Sequence, residues 1–294
     1  MIGGSGLYKM EGLADVKEHR LETPFGVPSD AILSGILLDE LPESSNQTRL
    51  LFLPRHGRFH DIPPHQVNYR ANIWALKKLG AGQVVSVSAV GSMKESIAPG
   101  DLVFVDQFID RTRSRPNTFF EDAGVVAHVE FAQPVDEALS DCLYRAAVKS
   151  GVRAHRGGTY VCIEGPQFST RAESDLFRSW GVDVIGMTNL PEARLAREAE
   201  LPYATMALAT DYDCWHADHG SVSVEAVLEL IRSNVKTAQA VLKHALSTLP
   251  DPSKSPASFA LRHAVLTSPN QFSQEAWDKL GLLLEKHISK PGTA

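Results

Sequence analysis

The chain has 294 residues, 43% of them hydrophobic and 22% charged, with a net charge of −6; this is the make-up of a globular protein able to bury a sizeable core. The acidic balance offers no long-range attraction to nucleic acid or an anionic membrane, so an anionic ligand needs a local pocket that works against the overall sign. Three scattered cysteines, Cys142, Cys162 and Cys214, lack metal-ligand spacing, and no bilayer-length apolar run or signal peptide is recognisable, so we expect a cytoplasmic protein with neither nucleic-acid nor membrane partners.

In chain order, Gly3-Gly4-Ser5-Gly6 comes first, with only Met1-Ile2 before it, so that either the preceding strand is reduced to a stub or the chain begins late. Glycines let backbone N–H groups approach an anion and a serine adds a donor, but the spacing is neither GxGxxG nor a P-loop, and a tight turn explains it equally well. Strand-like runs follow at Ala31 to Leu38, Arg49 to Leu53, Val84 to Val90, Leu102 to Ile109, Thr159 to Ile163, Val182 to Met187 and Tyr203 to Ala209, several of them continuously aliphatic as in strands buried on both faces. Helical patterns lie between them at Gln66 to Leu79, Val135 to Lys149, Arg171 to Trp180, Pro191 to Glu200 and Val222 to Leu246. The alternation argues for an α/β fold, one domain over 1–248 with a central mixed, mostly parallel sheet flanked by helices. The Pro- and Ser-rich stretch from Leu249 to Pro256 reads as a linker to a helical C-terminal extension, 249–294, packed on the same domain.

The chemistry-bearing residues gather at the ends of these strands. Arg55-His56-Gly57 closes one strand, where a planar guanidinium fork can meet two phosphate oxygens and the imidazole can add a donor; a solvated histidine-rich loop, including His60, is the plain alternative. Ser88 and Ala89 close the next, where ligands of open α/β sheets lie. Phe168 offers a flat face to an aromatic base, Ser169 a hydrogen bond to its edge, and Met187-Thr188 a soft surface and a hydroxyl. Asp211 and Asp213, two apart after the last strand, can project together and raise each other's pKa toward use in proton transfer. From spacing alone, loop aspartates capping turns explain the pair better. There is no HExxH or comparable spacing, so no metal site is expected.

Taken together, Ile2 to Leu7, Thr23-Pro-Phe-Gly26, Arg55-His-Gly57, Val67 to Leu76, Gly100-Asp101, Asp106 to Thr112, Ile163-Glu-Gly-Pro166, Arg171-Ala-Glu-Ser174 and Asp211-Tyr-Asp-Cys-Trp215 closely resemble the trimeric purine nucleoside phosphorylase family, in its methylthioadenosine phosphorylase branch. The resemblance runs from Ile2 to about Leu246. It implies a nucleoside phosphorylase fold and phosphorolysis of methylthioadenosine to adenine and 5-methylthioribose 1-phosphate, with inorganic phosphate as co-substrate and no metal or organic cofactor. Position by position, it implies phosphate binding by Ser5, Arg55, His56, Ser88, Ala89 and Thr188. Met187 would meet the ribose, His60 would lie near phosphate and sugar, and Phe168 and Ser169 would face the base, with Asp211 and Asp213 at N7 and the amino edge as the catalytic pair. His128 resembles a histidine lent across a subunit interface, which implies a homotrimer. Val224, Val227 and Leu228 form one helical stripe matching positions that meet the 5′-methylthio group in relatives. An aspartate rather than an asparagine at 211 goes with 6-aminopurines. A methylthioinosine or ordinary purine nucleoside phosphorylase is the nearer alternative, and a nucleoside-binding protein without catalysis the more distant one.

Overall fold

Successive residues of a strand face opposite sides of its sheet, and the long strands here are apolar at both parities. In β5 (Val84–Ser92) and β11 (Tyr203–Asp211), Val84, Val90, Tyr203, Ala207 and Ala209 join one buried cluster, and Val85, Val87, Ala204, Met206 and Leu208 another. Both faces of the sheet therefore need covering. The computed structural model, which describes residues 1–4, 6, 7, 10, 12–37, 48–216 and 224–290 and only the backbone of 224–234, shows how this is done. Helices α1 (Tyr69–Lys78), α4 (Asn189–Glu198) and α6 (Gln274–Leu284) bring Ile73, Leu76, Leu195, Leu280 and Leu284 to the first cluster. Helices α2 (Glu137–Lys149) and α5 (Val224–Leu246) bring Leu139, Leu143, Val241 and Leu242 to the second. A sixth helix, α3 (Arg171–Ser179), packs Phe177 against Val161, Ile185 and Trp215 at the sheet's end.

The remaining strands are β1 (Ile2–Gly3), β2 (Leu13–His19), β3 (Ile32–Leu37), β4 (Arg49–Pro54), β6 (Leu102–Phe104), β7 (Gln107–Arg111), β8 (Ala154–Arg156), β9 (Thr159–Ile163) and β10 (Val184–Gly186). Their order is β2-β3-β4-β1-β5-β10-β9-β7, with β11 joining β5 to β6 and β6 pairing β8. Most pairs are parallel; β2-β3, β3-β4, β5-β10 and β6-β11 are antiparallel. The expected mixed, mostly parallel sheet is thus present. Two residues suffice for β1, because Ile2 is fully buried and pairs with Leu53 on one side and Ser86 on the other. The single strand expected over Leu102 to Ile109 is two, since β6 joins β11 and β8 while β7 joins β9.

The segment after α5 returns to the body. Phe272 and the apolar face of α6 enter the first cluster. Buried Glu200 accepts hydrogen bonds from the Leu261 N–H at 2.9 Å and His287 Nε2 at 2.8 Å. Farther along, Val265 forms an antiparallel bridge with Ala127, and the His128 N–H donates to Ala264 O at 2.9 Å.

Candidate active site

The ends of β5, β9, β10 and β11 converge, and each delivers residues singled out in the sequence. On β5, the Ser88 hydroxyl lies 3.1 Å from the Thr188 hydroxyl, which follows β10. Tyr160 of β9, fully buried, sits beneath both. Its hydroxyl is 3.4 Å from Ser88 Oγ and accepts the Thr188 N–H at 3.4 Å. Glycine at 186 makes this possible, because a Cβ there would lie 2.0 Å from the Tyr160 oxygen. Ala89 is exposed beside Ser88. Ser5 lies outside the described residues.

Arg55 and His56 occupy the expected strand end but not with the expected hydrogen bonding. The Arg55 fork is turned on a carboxylate of α4: Nε and Nη2 donate to Glu192 at 2.7 and 3.0 Å, Nη2 also to Ser86 Oγ at 2.6 Å, and Nη1 to Val87 O at 3.1 Å. The pair is almost wholly buried, at 3% and 1% side-chain exposure, and Tyr203 donates to the same carboxylate at 3.0 Å. Burial works against the Arg55 charge, but Glu192 outweighs it and holds the guanidinium ionised. One Nη1 hydrogen remains, so a bidentate grip on phosphate by Arg55 is corrected to a single donor at most. The His56 imidazole bonds the Ile62 carbonyl through Nδ1 at 2.8 Å, which fixes the proton on Nδ1. Burial, with the nearby Arg55 charge, pushes its pKa down to about 4. The neutral ring therefore presents Nε2 as an acceptor, not the donor expected from sequence.

Asp211 ends β11 opposite Gly91, where Asp211 Oδ1 and Asp213 Cβ crowd the glycine at 3.0 and 3.3 Å from a notional Cβ. The Thr210 hydroxyl donates to Asp211 Oδ2 at 2.7 Å and the Asp213 N–H to Oδ1 at 2.8 Å. The two aspartates do not project together along an extended strand, because Asp213 turns into the left-handed region at φ 50°. Both carboxyls are raised in pKa, Asp211 mainly by burial with the Asp213 charge the smallest contribution, and Asp213 mainly by burial. Mutual repulsion is thus not the chief cause, contrary to the sequence argument.

Phe168 is 53% exposed on the segment leading from β9 to α3, and Ser169 Oγ is buried without a hydrogen-bond partner among the described residues. A capping box between Thr170 and Glu173 fixes where this segment ends and α3 begins. Met187 presses so closely on the same segment that its sulfur lies 2.5 Å from where a Gly165 Cβ would stand; at φ +66° that position suits glycine on both counts. His60, exposed and at φ 58°, stacks on His56 with ring centroids 4.7 Å apart. His128 is exposed on the segment bridged to Val265. Val224, Val227 and Leu228 fall in α5, but their side chains lie outside the described residues.

Three buried residues at this site escaped the sequence reading: Glu192, Tyr160 and Arg115. The first two sit inside ordinary helix and strand patterns, and the third binds chiefly backbone carbonyls, which leave no mark on a sequence. Two open cavities, of 760 Å³ beside Arg58 and Phe59 and 640 Å³ beside Lys94 and Arg178, include none of the expected site residues.

Residues 1–247 match the model of the phosphorylase superfamily. The chain is 53% identical over 289 residues to S-methyl-5′-thioadenosine phosphorylase of Geobacter sulfurreducens, covering 98% of each. It is 52% identical to the enzyme of the same name from Thermosynechococcus vestitus, again over 98% of both. Among solved structures, a methylthioadenosine phosphorylase from an Antarctic soil metagenomic library superposes with a TM-score of 0.88 at 46% identity, over 96% of this chain and 97% of that one. Methylthioadenosine phosphorylase from Schistosoma mansoni in complex with adenine does so at 0.75 and 38% identity, over 83% and 88%. With a strand order that brings Ser88, Thr188 and Asp211 to one end of the sheet, and with relatives this similar along nearly the whole length, the chain belongs to the S-methyl-5′-thioadenosine phosphorylase family of the phosphorylase superfamily.

Proposed function

We propose that the protein is a pentosyltransferase that splits S-methyl-5′-thioadenosine with inorganic phosphate, giving adenine and 5-methylthioribose 1-phosphate. The observation that carries this reading is the Ser88–Thr188 hydroxyl pair, 3.1 Å apart, facing the same sheet end as a partly buried carboxyl of raised pKa, Asp211. Phosphate is held by Ser88, Thr188, the backbone at Ala89, Ser5 and the last Arg55 hydrogen, while neutral His56 accepts a hydrogen bond from the hydroxyl of monohydrogen phosphate, which keeps its proton. A phosphate oxygen bonds to C1′ as the C1′–N9 bond breaks, and the electron pair passes into the purine. Protonated Asp211 delivers a proton to N7, which makes the base a neutral leaving group. Asp213 serves the amino edge, Phe168 and Ser169 hold the base, and Met187 and His60 meet the ribose. Fixed donors at the phosphate supply orientation and charge complementarity without reorganisation during the step.

Val224, Val227 and Leu228 line the 5′-methylthio side in this reading, and His128 reaches the site of a neighbouring copy in a homotrimer. Residues 1–248 form the catalytic domain and 249–294 an extension packed on it. Among the described residues no helix is long and apolar enough to cross a membrane; a cytoplasmic location belongs to the same reading. The test is adenine release from methylthioadenosine with and without phosphate, beside adenosine, methylthioinosine and inosine. Phosphate-dependent release that is fastest with methylthioadenosine is expected. Preference for methylthioinosine would overturn the role of Asp211 in base choice, and release independent of phosphate would overturn phosphorolysis.

A further inference from the structure

Arg115 lies between β7 and α2, outside the sequence motifs discussed above, with 1% of its side chain exposed. Its guanidinium faces two ways. Toward the base side, Nη2 donates to Glu164 O at 2.6 Å and Ile163 O at 3.3 Å, and Nε to Glu164 Oε1 at 3.2 Å. Toward the phosphate and ribose side, Nη1 donates to Met187 O at 2.7 Å, Leu190 O at 2.8 Å and the Tyr69 hydroxyl at 3.1 Å. Its acceptors thus flank Thr188 on one hand and open the segment carrying Phe168 and Ser169 on the other. The Glu164 carboxylate is itself tied to the Arg113 N–H, so the base segment is gripped at both backbone and side chain.

We propose that Arg115 is a positioning residue that links the phosphate and base subsites, so that occupation of one raises affinity for the other. The inference rests on the roles given above to Thr188, Phe168 and Ser169. Physically, one rigid planar cation with five donors spans two strand exits, so ordering either exit orders both. A ligand that settles one side leaves less freedom to be lost when the second ligand binds. Coupling of this kind is reciprocal. A lysine has three donors at a single point on a flexible stem and cannot hold both sets of carbonyls at once.

The experiment measures the adenine dissociation constant with no phosphate and with saturating phosphate, by calorimetry. Adenine lacks the ribose that would lie between the two ligands, so coupling must pass through the protein. The wild-type enzyme is expected to bind adenine at least about 5-fold more tightly with phosphate present, within the usual range of allosteric coupling. In Arg115→Lys the ratio is expected to fall below about 2-fold. Glu164→Gln, which keeps the carbonyls and removes the paired carboxylate, should lower the ratio partway; it carries the test if the lysine variant does not fold. Merely structural damage would weaken adenine binding equally in both conditions and leave the ratio unchanged. An unchanged ratio in a folded variant, or no coupling in the wild type, overturns the proposal. Failure of the functional reading looks different: the wild-type enzyme would then release no adenine from methylthioadenosine in response to phosphate.

Discussion

Replacing Glu192 by alanine tests the account of Arg55 most directly. The substitution strands a guanidinium that is 3% exposed, removes acceptors at 2.7 and 3.0 Å, and leaves the Tyr203 hydroxyl without its carboxylate. Breaking a buried ion pair on one side costs about 3–5 kcal/mol, in line with two charge-assisted bonds at roughly 1.5–3 kcal/mol each. A chain of 294 residues has an unfolding entropy near 0.6 kcal/mol/K at ~2.1 cal/mol/K per residue, so Tm should fall by roughly 5–8 °C. Glu192→Gln retains an acceptor and should lose about half as much. A paired Arg55→Met, Glu192→Leu variant should stay within about 2 °C of wild type, because apolar replacement of a whole buried pair is often neutral. Scanning calorimetry on the four proteins decides the matter. A Tm for the alanine variant within about 1 °C of wild type would show that Glu192 does not clamp Arg55 and would return the fork to the phosphate.

Asp211→Asn removes the acid placed at N7 and should lower turnover of methylthioadenosine by roughly 10²- to 10⁴-fold while favouring methylthioinosine relative to it; steady-state rates on both substrates check this. Gly186→Ala drives a methyl into the Tyr160 hydroxyl, costing about 1–3 kcal/mol by overpacking; because that hydroxyl contacts both Ser88 and Thr188, the phosphate KM should rise more than the nucleoside KM, and equal changes would count against phosphate binding by that pair. His56 and Glu198 should pull stability in opposite directions with pH. The folded state holds His56 neutral, with its pKa down to about 4 through burial and the Arg55 charge. Its contribution is therefore complete above its ordinary value near 6.5 and lost as pH falls toward 4, by about 3 kcal/mol. Burial raises Glu198 to about 7, so its contribution is complete at acid pH and lost as pH rises from about 4.5 to 7. Urea denaturation from pH 4 to 8 should therefore show His56→Asn flattening the acid limb and Glu198→Gln gaining stability at pH 7.5.

What was legible in the sequence followed from how many residues share one physical constraint. β5 and β11 carry buried apolar residues on both faces, and such runs declare buried strands without help. Two-residue β1 carries no period and borrows its order from Leu53 and Ser86. β2 was missed because its middle is exposed and charged, with Asp15 at φ 50° interrupting the register. Among candidate site residues, Ser88, Thr188 and Asp211 stood out because strand ends are where ligands lie in such sheets. The hydrogen bonding of Arg55 and His56 was not, since their partners, Glu192 and the Ile62 carbonyl, are set by tertiary packing. The left-handed turn at Asp213 was equally hidden, and with it the reason the two aspartates differ in surroundings.

The bridge between Ala127 and Val265 constrains how the gene can change. Leu261 is moored to Glu200, and four residues later Val265 is moored to the stretch ending in His128. Both moorings use this segment's own backbone groups, so, apart from buried Ala264, side chains between them are free to drift over generations. Their number is not. A single codon gained or lost there would slip the pairing by one place and turn alternate side chains to the opposite face. Insertions should be sparse between 261 and 265 while substitutions accumulate at exposed Arg262 and His263, a pattern of fixed spacing with loose spelling.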